Sequence, residues 1–454
     1  MSLNSLSFIV FFAILYLLLL FVDNIRLRKV VLLIASFVFY GISSLPFALL
    51  LAIYILVLFF LAKTNSKAAL KIGVILSIAL LGLFKYYNFF VDSFALSSLA
   101  LKLLIPLGIS FYCFRGIAYL VDIYREKYAA ETDLLNFALY IAYFPEMISG
   151  PISRYQDLTP QFADNKQNLE NLSAGIQMFV IGFLKKAVLA DNLAVFVGVV
   201  FDYPEIYSSF SILLAVLAYA MEIYLDFSGY SDMSIGVSRM LGYDIRKNFD
   251  MPYLSHNVTE FWKRWHISLS SWLQEYVYYP LGGNRKGKLR QYLNLFLTMA
   301  IGGLWHGASW TFVVWGCLQG LALIVHKLFM ATAKQQNRSS GLWGILLTFG
   351  FICLSWIPFR AASFAKMLAL LVGLFSFRSG ISFISSWALI VLTVVLFAYL
   401  YVIMGNKKDQ TIIHAYYPLQ DLRTLKGLTI FFALILIILC LGYTGGSPFI
   451  YAAF

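Results

Sequence analysis

Residues 8–22 read FIVFFAILYLLLLFV, with no charge and one hydroxyl, and runs of this kind recur to the far end of the chain. A water-soluble fold buries one or two such segments. Here they cover about 8–22, 30–43, 46–62, 72–84, 101–120, 134–148, 176–201, 212–225, 293–305, 311–329, 342–357, 381–404 and 427–443. A membrane span needs roughly 20 apolar residues, and none of these runs shows the strand alternation of an outer-membrane barrel. Composition agrees: 61% of the 454 residues are hydrophobic and 12% charged, against about 25% charged in soluble domains. The chain is therefore expected to be all-α, a polytopic transmembrane protein of about 11 spans. Segment 364–375 is too short for a comfortable span and reads as re-entrant or interfacial.

The net charge of +12 excludes little by itself. In a membrane protein, Lys and Arg in short loops hold those loops in the cytoplasm, so the charge indicates topology and no nucleic-acid partner is expected. No Lys or Arg precedes the first run, which reads as a first span and not as a cleaved signal. Arg26, Arg28 and Lys29 follow it, then Lys63, Lys67 and Lys71, and later Lys407, Lys408, Arg423 and Lys426. These place the N- and C-termini outside a cytoplasmic membrane, multi-pass. Cys113, Cys317, Cys353 and Cys440 are far apart in apolar stretches and read as buried hydrophobes.

One block resists a lipid-facing reading. Between Tyr224 and Lys288 stand Asp226, Asp232, Arg239, Asp244, Arg246, Lys247, Asp250, Glu260, Lys263, Arg264, His266 and Glu275, interleaved with Trp262, Trp265 and Trp272. A charge at a bilayer centre costs about 2.5–3.5 kcal/mol on insertion scales. Polar residues at this density must be paired, solvated or interfacial. The block is expected to form interfacial and re-entrant helices around a central cavity, and to be the working part of the protein.

There are five histidines, none in an i,i+4 pair, and no metal site is expected. His256 reads as a solvated loop residue, His326 as an interfacial anchor, and His414 as part of a basic loop. His306 differs. It lies in AIGGLWHGASW with no charged residue within ten positions on either side. A histidine there is expensive to ionise and is expected to be neutral and able to accept a proton. A hydrogen-bonded packing histidine satisfies the same spacing, and for His266, in FWKRWHISLSSWL, both readings also stay open.

The ordered run FWKRWHISLSSWL, YVYYPLGGNRKG and GGLWHGASWTFVVWG, with FPEMISGPI at 144–152 and DFSGYSDM at 226–233, resembles the membrane-bound O-acyltransferase family. It is most similar to the bacterial branch that O-acetylates alginate and peptidoglycan, densely from about residue 105 to 325. On that basis the chain divides into N-terminal helices (1–104), a catalytic core (105–330) and C-terminal helices (331–454). The resemblance implies that His306 is the catalytic histidine and His266 the second signature polar residue. It also implies that 261–269 line the approach, with Trp262, Arg264, Trp265 and Trp305 binding substrate. Gln319 stands where many relatives carry histidine.

The expected activity is acyl transfer from a cytoplasmic thioester, acetyl-CoA or another acyl donor, to a hydroxyl outside. No bound cofactor is expected, and a separate extracytoplasmic transferase is the implied partner. Thioester chemistry needs a base at the attacking oxygen, a role that falls to His306, with His266 orienting it or hydrogen-bonding the donor or acceptor; a covalent acyl-histidine fits the same sequence equally well. Arg285 and Lys288, in the basic loop 285–290, are expected to meet donor phosphates. D-alanyl transfer to a cell-wall polymer is the alternative within the family. A secondary transporter or flippase is the rival class, weakened because the two halves show no repeat.

Overall fold

The computed structural model describes residues 1–164, 166–332, 341–404, 419–443 and 445, and among these the regular elements are helices joined by loops, apart from one isolated bridge, Tyr207 with Ile381. Each apolar run becomes a helix because a backbone in hydrocarbon must close its hydrogen bonds within its own segment. Five helices are long and apolar enough to cross a membrane: Leu45–Thr64, Lys67–Ser93, Ser209–Met240, Trp310–Ala331 and Gly341–Arg360. Leu6–Leu20, Phe364–Phe375 and Leu425–Leu441 are shorter apolar helices. Phe364–Phe375 spans about 18 Å at 1.5 Å per residue, short of a hydrocarbon core of about 30 Å. His414, Lys407, Lys408 and the last nine residues lie outside the described residues.

The chain forms two units that interleave in sequence. The first comprises Met1–Gly182 and Tyr230–Lys247. It holds α1 (Leu6–Leu20), α2 (Ile25–Gly41), α3 (Leu45–Thr64), α4 (Lys67–Leu81), α5 (Ile109–Tyr124), α6 (Leu134–Ala142) and most of α7 (Leu169–Phe183). α5 starts eight residues later than the apolar run at 101 suggests, because Pro106 and a left-handed Gly108 (φ +69°) precede it. The 144–152 motif is pinned here by a buried ion pair, Arg115 Nη2 to Glu146 Oε2 at 2.6 Å. Arg115 also donates to the Tyr140 carbonyl at 2.9 Å, and Ser153 Oγ donates to the same Glu146 carboxylate. Arg28, expected as a loop charge, is instead buried and donates to the Leu19 and Leu241 carbonyls at helix C-termini. Helix dipoles place partial negative charge at those ends, which stabilises the guanidinium.

The second unit comprises Phe183–Gly229 and Asn248–Phe454. The helix begun as α7 runs on through a wide π turn, Leu184–Ala190, into α8 (Asp191–Asp202). Then follow α9 (Ser209–Met240), α10 (Val258–Arg264), α11 (Ile267–Leu273), α12 (Lys288–His306), α13 (Trp310–Thr332), α14 (Gly341–Arg360), α15 (Phe364–Phe375), α16 (Ser386–Met404) and α17 (Leu425–Leu441). α9 corrects one expectation. Its apolar run stops at 225, yet the helix continues fifteen residues to Met240 and takes Asp226, Asp232 and Arg239 with it. These residues do not form an interfacial helix. The reason is burial: Asp226 and Asp232 are 1% and 2% exposed inside protein, while Arg239, partly exposed at the helix end, pairs with Asp244. Asp226 is paired with Lys186 at 2.5 Å, and Lys186 also reaches Asp191 at 2.7 Å.

Candidate active site

The site is built on the α12–α13 hairpin of the second unit. Two glycines let these helices touch: a Cβ on Gly303 would lie 2.4 Å from the Phe312 carbonyl oxygen, and one on Gly316 would lie 2.4 Å from that of Met299. Any side chain at either position would push the helices apart. α12 ends on His306, which is 2% exposed. Its ring lies 4.9 Å from Trp305, 5.0 Å from Trp315 at 89°, and 5.2 Å from Phe359 of α14. Aromatic edges and faces shield the imidazole from bulk water while fixing its plane.

His266 is placed by a different device. It joins two seven-residue helices, α10 and α11, with a left-handed backbone (φ +43°, ψ +56°). That conformation is costly for any residue with a Cβ and persists where the surroundings hold it. Asn248 does the holding. Its side-chain oxygen accepts from Ser268 N and Oγ, both at 3.0 Å, and faces His266 Nδ1 at 3.2 Å. Its carbonyl accepts from Ile267 N at 2.9 Å. An amide oxygen only accepts, so Nδ1 carries the hydrogen and Nε2 is the acceptor. Burial pushes the pKa of this imidazole down to about 3, so it is neutral at pH 7. Phe227 covers it at 4.6 Å. Trp305 stands between the two histidines, 6.1 Å from His266 and 4.9 Å from His306. The structure therefore brings both histidines into one aromatic compartment.

A cavity of about 520 Å³ opens nearby, lined by residues of α10–α13 and the intervening loop. Trp262, Leu273, Thr298 and Met299 make its inner wall; Asn284, Lys263 and Lys327 supply polar and basic groups. Met299 and His306 are seven residues apart, hence on one face of α12 and about 10 Å apart along its axis. The Trp262 and Trp315 rings lie 5.8 Å apart, so two indoles in series connect cavity wall and His306.

The other sequence candidates fall in different places. Arg264 pairs with Glu260 at 2.7 Å and donates to the Asp250 carbonyl, bracing its own loop. Trp265 is fully buried among Phe249, Phe261 and Trp356 as packing. Arg285, on the loop before α12, and Lys288, the first residue of α12, are exposed and outside the cavity lining. His256, expected in water, is half-buried on Glu260 at 3.1 Å. His326, read as an anchor, bonds Thr259 Oγ1 at 2.8 Å and so ties α13 to α10. In sequence Lys263 is only one of the charges of the polar block, and its sharing a cavity with Lys327 went unnoticed because 64 positions separate them. No local spacing reveals that they share a cavity. Among the described residues no three His, Cys, Asp or Glu side chains gather as a metal-ligand set.

The family model of the membrane-bound O-acyltransferases matches residues 129–365, which contain every residue of the site above. The chain belongs to that family. Relatives of known name place this membrane-bound O-acyltransferase more closely. It is 39% identical to the probable alginate O-acetylase of Pseudomonas putida, over 83% of this chain and 81% of that protein. It is 37% identical to the peptidoglycan O-acetyltransferase of Helicobacter pylori, over 78% and 75%. The teichoic acid D-alanyltransferase of Bacillus subtilis is more distant, 28% identical over 57% and 69%. The protein is thus a polytopic helical membrane enzyme that transfers acyl groups to oxygen.

Proposed function

We propose that this O-acyltransferase carries an acetyl group from a thioester on the cytoplasmic side to a hydroxyl on the other side, for O-acetylation of a polysaccharide or peptidoglycan. The observation that carries this reading is the line from the cavity to His306 along one face of α12, with basic groups at one end and a buried imidazole at the other. Lys263 and Lys327 suit the phosphates of acetyl-CoA or a phosphopantetheine donor, since ammonium groups are common phosphate partners. The thioester end reaches inward past Met299 and Trp262. His306 takes the proton from the attacking hydroxyl as its oxygen bonds the acyl carbon; the C–S bond breaks, and His306 returns the proton to the leaving thiolate. His266, fixed by Asn248, orients this compartment through Trp305. Acetyl is favoured over D-alanyl because the acetyltransferase relatives are the nearer ones by identity and coverage.

The chain then sits in the bacterial cytoplasmic membrane with both termini outside, and an extracytoplasmic transferase takes the acetyl group onward to the polymer. Impermeant thiol labelling of intact cells tests the sides: Ser5→Cys reacts and Ser66→Cys does not, whereas labelling of Ser66→Cys reverses the assignment. Reconstituted protein given acetyl-CoA tests the chemistry. Thiol release that rises with added hydroxyl acceptor is expected. A transporter or flippase moves its cargo with no thiol release, and that result refutes the reading.

A further inference from the structure

Gln319 is fully buried where three elements of the second unit meet. Its Oε1 accepts from the Trp262 indole N–H of α10 at 3.2 Å. Its Nε2 donates to Ser355 Oγ of α14 at 2.8 Å, and Ser355 donates onward to the Ile352 carbonyl at 2.8 Å. Each element joined in this way contributes a ring to the site. Trp262 lines the cavity. Trp315, one turn before Gln319 in α13, and Phe359, one turn after Ser355, both flank His306. Trp356, next to Ser355, stacks on Trp315 at 5.6 Å and 15°.

A buried amide costs free energy unless both of its ends are bonded, and an apolar side chain would fill the same space without that cost. What the amide adds is direction. It fixes the rotation of the Trp262 indole, whose only polar atom is a donor, and ties that plane to Trp315. We propose that Gln319 is a positioning residue for acyl transfer: by locking the Trp262–Trp315 partition it sets how the thioester meets His306 and keeps water from the acyl carbon. This rests on reading the cavity as the donor site and His306 as the base. With the partition loosened, water competes with the hydroxyl: its oxygen bonds the acyl carbon, the C–S bond breaks, and free acid and thiol leave. Donor affinity, set at Lys263 and Lys327, is largely spared.

The test compares Gln319→Leu, Gln319→His, Ser355→Ala and His306→Ala in proteoliposomes, with acetyl-CoA varied and thiol release measured with and without acceptor. A misplacement of about 1 Å can cost on the order of 10²-fold, so Gln319→Leu is expected to lower kcat about tenfold or more while KM for acetyl-CoA stays within about threefold. The share of thiol release due to hydrolysis should rise. Neutral imidazole also offers one donor and one acceptor, so Gln319→His is expected to recover most of the lost kcat. Ser355→Ala, which cuts one end of the link, should show the same split to a lesser degree and decides the matter if Gln319→Leu does not fold. Wild-type kcat and hydrolysis share in Gln319→Leu or Ser355→Ala, with His306→Ala inactive, overturns the positioning role alone. Wild-type turnover in His306→Ala overturns the underlying reading of the site.

Discussion

His266 and His306 flank the same indole, and both are buried, yet they are held in different ways. His266 sits at a strained backbone position between two short helices, and its Nδ1 is fixed by the side chain of Asn248. His306 ends a nineteen-residue helix and is enclosed by three aromatic rings. A polar anchor suits a group whose tautomer and direction must not change. An aromatic enclosure shields a group that must gain and lose a proton without competition from water. On the function proposed above, orientation falls to His266 and proton transfer to His306.

The largest expected effect breaks the comparison on the His306 side. His306→Ala should lower acyl transfer by about 10²–10⁴, the usual cost of a lost general base, with expression and detergent-extracted melting temperature unchanged. Retention of a tenth or more of wild-type turnover would remove His306 from the mechanism. Next comes the cavity rim. Lys263→Ala with Lys327→Ala should raise KM for acetyl-CoA about tenfold, with kcat changed less, as lost uniform binding predicts. The effect should shrink as salt rises. An unchanged KM at low salt would take the donor out of this cavity.

Substitution of His266 sharpens the comparison through pH. Its folded pKa is held down at about 3 by burial, against about 6.5 in an unfolded chain. Between those values the unfolded chain binds the extra proton, so stability is full above about pH 6.5 and is lost as pH falls toward 3. Melting temperature should therefore drop between about pH 7 and pH 5 in the parent protein, and drop less in His266→Gln. An identical acid response in both would show that the imidazole is not held neutral by burial. At pH 7 the same variant should lose less activity than His306→Ala. The smallest effect is expected at Arg285 and Lys288. They are exposed and lie outside the cavity, so alanine at both should raise donor KM by about twofold at most, since exposed charge contacts are weak. A rise matching that of the lysine pair would move the phosphate site to this loop.

Much of this architecture was legible before any coordinates. Most apolar runs locate their helices within a few residues, α5 being displaced by eight, because hydrocarbon admits only helices and closed barrels and these runs lack strand alternation. α9 shows where that logic fails. Its partner for Asp226 is Lys186, forty positions earlier, so periodicity alone cannot reveal that the charge is neutralised inside protein. His306 stood out in sequence by its uncharged surroundings, whereas His266 was singled out only by the family resemblance, and for both a packing role satisfied the same spacing. Trp305 between them, the link through Gln319, and the pairing of Lys263 with Lys327 at one cavity were not legible. Each depends on helices brought together by packing, and each joins residues whose spacing carries no signal.

The account rests on a donor that enters the cavity and presents its acyl carbon to His306. A structure of the reconstituted protein with a non-hydrolysable thioether analogue of acetyl-CoA tests this most directly. The account predicts phosphate density between Lys263 and Lys327, with the acyl end past Met299 within hydrogen-bonding reach of His306. An analogue bound elsewhere, or in the cavity with its acyl end turned away from His306, would contradict it.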